Sequence, residues 1–118
     1  MRKYPRMKES FVLPVYNKLV RDRIPEIIVN SGRVCSSRIL DESAYKVELR
    51  GKLSEELREY LEAPDDESAI EELADLLELL HALAAVHGFS AERLETIRMK
   101  KAAERGGFEG RVYLEEVR

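Results

Sequence analysis

Apolar residues recur at helical spacing along most of this chain. Tyr45, Leu49, Leu53, Leu57, Tyr60 and Leu61 fall three or four apart, which predicts a helix over roughly 42–62 behind Asp41. Ala63-Pro64-Asp65 interrupts it. The strongest pattern follows over Asp66 to Val86, with Ile70, Leu73, Leu76, Leu77, Leu80, Leu83 and Ala84, and Gly88 ends it. Ser90 can cap a fourth helix over 91–104, although Arg93 stands where a full capping box has an acid, and Gly106-Gly107 stops it. Upstream, Asp22 as a cap, Pro25 in a first turn and Gly32 at an end predict a short helix near 23–31. Val34 to Leu40 reads as extended, and the tail Phe108 to Val117 alternates loosely. A small two-stranded sheet of 34–40 with 108–117 is therefore compatible with a chain that is otherwise an all-α helical bundle.

Composition narrows the setting. No repeat or linker divides the 118 residues, so a single domain over 16–118 is expected, behind a loosely held segment over 1–15. A chain of this length should bury roughly two-thirds of its unfolded surface, enough for a core without staples. Charged residues at 36% and hydrophobic ones at 44% describe a soluble globular protein. No apolar run is long enough to span a membrane, and FVLPVYNKLV after the basic start is too short and interrupted for a signal-peptide core, so a cytoplasmic chain is expected. Cys35 is the single cysteine, which excludes an internal disulfide and a zinc site of several thiolates. A net charge of −3 argues against a nucleic-acid binder that works by neutralising phosphates.

The acids, however, crowd into residues 41–78. On a helical wheel Glu72 falls about 100° from Leu73, inside the apolar arc between Leu76, Leu79 and Leu83, with Asp75 on its border. Glu56 falls between Leu49 and Tyr45 on the preceding helix, with Glu59 at the edge. Each helix thus offers two carboxylates three residues apart on one face, and the short connection makes the helices antiparallel partners. Burying carboxylates beside leucines is costly unless something cationic meets them. Hard divalent cations with all-oxygen ligation are the usual remedy, and magnesium or manganese fits better than zinc.

These acids, with YNKLVRDRIPEII at 16–28, KLSEELREYLEA at 52–63, EELADLLELLHAL at 71–83 and KKAAERGGFEGRVYLEEV at 100–117, resemble the MazG-like all-α nucleoside triphosphate pyrophosphohydrolases, in particular the phosphoribosyl-ATP-pyrophosphohydrolase-like branch. The resemblance covers about residues 16–117. It implies that Glu56, Glu59, Glu72 and Asp75 bind Mg2+, with Mn2+ as a possible substitute, and that a nucleoside triphosphate is cut to a monophosphate and pyrophosphate. The alternatives are phosphoribosyl-ATP pyrophosphohydrolase activity and a non-catalytic helical oligomerisation module.

The chemistry is coherent with the residues present. Metal ions neutralise phosphate charge and orient an attacking water, for which Glu59 is the favoured positioning residue. The chain has no GxxxxGK[ST] loop, so side chains must hold the phosphates. Lys18 and Arg21 in the opening motif, and Lys100, Lys101 and Arg105 in the closing one, are the candidates. Arg21-Asp22-Arg23 also reads as a structural ion-pair knot, and Lys52 as an i,i+4 partner of Glu56. Tyr45, Tyr60 and Phe108 read as core rather than as base-stacking platforms. Glu78-x-x-His81 resembles half of a di-iron site, but His87 lacks the matching acid, so an iron site is disfavoured. An apolar arc this wide has more than one neighbour to cover, which predicts a homodimer or homotetramer.

Overall fold

The computed structural model describes residues 15–118, which form four helices: α1 (Ile24–Asn30), α2 (Glu42–Leu61), α3 (Asp66–Val86) and α4 (Ala91–Arg105). The expectation for 1–15 falls, apart from Val15, outside the described residues. Three of the four starts are fixed by side-chain caps, which satisfy amide groups that the first helical turn leaves without partners. Asp41 accepts from the Ala44 amide at 2.8 Å, Asp65 from Ser68 at 2.8 Å and Ser90 from Arg93 at 3.0 Å. Gly88, at φ +83°, takes the left-handed conformation that lets the chain leave α3 and turn toward Ser90. The start of α1 departs from expectation, since its N-cap is Arg23, with no side-chain cap bond, and not Asp22; Pro25 does sit in its first turn.

The two long helices pack face to face through the link over 62–65, and α4 packs against α3 but not α2. Each long helix turns a carboxylate toward its partner. On α2 the buried side is occupied by Leu49 and Glu56, flanked by half-buried Tyr45, Leu53 and Tyr60. On α3 the half-buried side carries Glu72, Leu76, Leu79 and Leu83. The remaining apolar arc is left uncovered: Leu57 and Leu61 on α2, and Ile70, Leu73, Leu77 and Leu80 on α3, are all exposed. Their spacing on α3 alternates three and four residues, the repeat of a helix-pairing seam.

Two further expectations are corrected. The described residues contain no strand; 34–40 carries no regular structure, and 106–118 turns at 108–110, where the Arg111 amide donates to the Phe108 carbonyl at 3.1 Å, with Ile39 and Val112 open to solvent. Phe108, read as core, is 98% exposed. The core is also smaller than the length allows, with Ile24 and Leu49 as the buried apolar residues among those described. The radius of gyration is 18.4 Å, against about 13 Å for a compact chain of this size. No helix among the described residues is long and apolar enough to cross a membrane.

Candidate metal centre

The α2–α3 pairing brings Glu56, Glu59 and Glu72 together, each with a carboxylate oxygen within 4.8 Å of the others. The spacing that produces this is local: Glu59 lies one turn beyond Glu56, and Glu72 lies about two turns into α3 from the Asp65 cap. Glu56 is the deepest of the three at 7% exposed, and Glu72, the deepest by the helical wheel, is half-buried. The wheel measures distance from the leucines, whereas depth is set by which side of α2 faces α3. One oxygen of Glu56 and one of Glu72 are buried with no hydrogen-bond partner. Buried acceptors left in this way cost free energy, and a cation or a proton must answer them.

In the metal-free protein the answer is a proton. Burial pushes the Glu56 carboxyl up to about 8, helped by the Glu59 and Glu72 carboxylates that a proton on Glu56 can bridge and by the charge on Glu59, with Lys52 working against the shift. Glu72 is raised as well, first by burial, then by Glu59 and the charge of Asp75, while the hydrogen bond from Glu56 opposes the rise. An all-oxygen set of this kind suits magnesium or manganese and offers zinc neither nitrogen nor sulfur.

Asp75, the fourth expected ligand, stands outside the trio. Its Oδ1 accepts from Arg21 Nη2 at 2.6 Å, across 54 residues of sequence. Arg21 therefore reaches the acidic centre rather than joining a local knot, and Arg23 turns to Glu26 on its own helix at 3.3 Å. Lys18 pairs with Glu55 at 2.9 Å, beside the trio and not within it. Lys52 lies 3.6 Å from Glu56, the expected i,i+4 pair, and 3.7 Å from Glu55. The cations that sequence reasoning did not connect to particular acids are Lys18 and Arg21, because nothing in the chain's local pattern signals a contact made across so many residues.

The closing cluster is not drawn to this centre. Lys100, Lys101 and Arg105 lie on α4, and among the described residues none of them forms an ion pair with Glu56, Glu59, Glu72 or Asp75. Lys101 and Arg105 instead line an open groove of about 490 Å³ with Arg98, Gly106, Gly107 and Phe108 at the end of α4. Arg98 is already engaged there by both oxygens of Glu95, at 2.6 and 2.8 Å.

An uncharacterized protein of Mycolicibacterium smegmatis is 44% identical over 54 residues, a stretch that covers 46% of this chain and 55% of that protein. The chain thus spans about half the length of the curated relative it matches. No family model matches the chain, and no solved structure does.

Proposed function

We propose that this chain is a magnesium-dependent nucleoside triphosphate pyrophosphohydrolase that cleaves the α–β phosphoanhydride to give a nucleoside monophosphate and pyrophosphate. The observation that carries the reading is the buried convergence of Glu56, Glu59 and Glu72 with two oxygens left unpartnered. A purely structural role for the trio gives no reason to retain three mutually repelling acids between two helices. Glu56, Glu59 and Glu72 would hold the metal, and Asp75 is the further carboxylate within reach on α3. Magnesium, or manganese in its place, supplies charge neutralisation for the phosphate oxygens and lowers the pKa of bound water. Glu59, half-buried at the edge of the α2 pair, would orient the attacking water and accept its proton. Lys18 and Arg21 approach the trio from the segment before α1 and would receive the polyphosphate; Lys100, Lys101 and Arg105 lie on α4, apart from this centre.

The exposed seam on α3 favours a second reading, a helical oligomerisation module. Assembly and catalysis are compatible, and the working form is a cytoplasmic homodimer or homotetramer.

Incubation with a panel of nucleoside triphosphates, including phosphoribosyl-ATP, in ¹⁸O-labelled water with magnesium tests the reading. Label should enter the monophosphate or pyrophosphate, with no orthophosphate as primary product, and Glu59→Gln should abolish turnover while its circular dichroism stays helical. Primary orthophosphate release, or full activity in that variant, would overturn it.

A further inference from the structure

The geometry points to Arg21 as an exchangeable counter-ion, which holds Asp75 until a polyphosphate draws it away and releases that carboxylate to the metal. This rests on the metal site proposed above. Within the trio Glu56 is more than nine-tenths buried and keeps an unpartnered oxygen, and its carboxylate lies within 4.8 Å of those of Glu59 and Glu72. Asp75 is the next carboxylate along α3, one turn beyond Glu72 and on the same side. Its Oδ1 accepts from Arg21 at 2.6 Å, and a carboxylate whose charge is already met by a guanidinium attracts a second cation less strongly.

Three features make this pairing exchangeable. Arg21 comes from the non-helical segment before α1, so its position is not tied to the register of α2 or α3. Its side chain is 56% exposed while that of Asp75 is 18% exposed, so the guanidinium has open solvent to move into and the carboxylate does not. A guanidinium also matches phosphate oxygens with two parallel hydrogen bonds, which a single contact to Asp75 does not use. The neighbouring cations are placed differently. Lys52 is mostly covered and fixed on α2 beside Glu56, and Lys18 answers Glu55 outside the trio.

Arg21 and the metal therefore compete for Asp75, whereas polyphosphate and Arg21 attract one another. Binding of either ligand then favours the other, and the coupling must be reciprocal. The arrangement keeps the site only partly assembled until a phosphate chain is present.

The test compares wild type with Arg21→Gln, using manganese followed by the paramagnetic resonance of the free ion, and then an α,β-methylene nucleoside triphosphate at saturating manganese. The variant should bind manganese alone more tightly by roughly tenfold, a usual size for linkage between sites, and bind the analogue more weakly by a similar factor. Changes in opposite directions are what a merely structural contact would not produce. Manganese affinity that is unchanged or weaker in the variant overturns the inference and leaves the metal site standing. No manganese binding by wild type overturns the metal reading itself. A measurement on wild type alone guards against a variant that fails to fold: the guanidinium Nη resonances of Arg21 should leave their Asp75-bound position for a phosphate-bound one when magnesium and analogue are added together. A resonance that stays put overturns the exchange.

Discussion

Replacing Glu56 with glutamine separates the electrostatic cost of the acidic trio from its capacity for metal. Glu56 binds its proton more tightly in the folded chain, at about 8, than in the unfolded one, near 4.5. Folding therefore takes up a proton between those values: the stabilisation is complete below the unfolded pKa and is lost as pH rises through the folded one. The full shift corresponds to an upper bound of about 5 kcal/mol. Because a proton on Glu56 is hydrogen-bonded to its neighbours and water reaches half-buried Glu72, a loss of roughly 2–3 kcal/mol between pH 5 and pH 8.5 is expected for wild type in chelator. The amide cannot ionise, and it can still donate toward Glu59 or Glu72 as the protonated acid does. Glu56→Gln should accordingly match wild type at pH 5 and exceed it at pH 8.5. Urea unfolding followed by circular dichroism, at one protein concentration and with chelator throughout, reads both values. Metal ligands must be deprotonated, so in magnesium wild type should instead gain stability as pH rises. Equal pH dependence of wild type and variant in chelator would refute the electrostatic reasoning.

Asp41→Ala removes the cap that fixes the start of α2 and should cost about 1 kcal/mol in the same urea measurement, with little change in the magnesium response. Leu73→Lys with Leu77→Lys places two charges on the uncovered seam of α3; sedimentation should show wild type as a dimer or tetramer at micromolar concentration and the double variant shifted to monomer. Monomeric wild type at high micromolar concentration would refute the assembly.

The helices were legible because their boundaries are local. Asp41, Asp65 and Ser90 satisfy the first amides of their own helices, and Gly88 turns the chain out of α3, so four residues disclose most of the framework. The acids were legible for a related reason, since their three-residue spacing on each helix is itself a statement about faces. Depth was not. Leu57 and Leu73 belong to the same apolar arcs as Leu49 and Leu76, yet α2 and α3 meet along the flank that holds Glu56 and Glu72, and the other flank stays open. A wheel ranks residues within one helix and carries no information on the direction from which its neighbour comes. The strand reading of 34–40 and 108–117 failed because alternation specifies a strand only where a partner supplies hydrogen bonds, and these two segments form no ladder. Arg21 meeting Asp75 depends on the path of the whole chain between them.

Because the trio is assembled by counting along two capped helices, the chain can change length at some places and not at others. Deleting one residue between the Asp65 cap and Glu72 would rotate Glu72 by about 100° and slide it by about 1.5 Å, carrying its carboxylate from the face of α2 to the exposed position that Glu71 now holds. The same deletion between Glu56 and Glu59 would part those two acids onto different faces. Residues 62–64 lie between the helices and ahead of the cap that restarts the count, so an extra residue there leaves each helix's internal spacing intact. Natural variation in length among chains that keep this centre should therefore gather in that short link, and the sixteen-residue interval from Glu56 to Glu72 is less constrained than the three-residue intervals inside either helix.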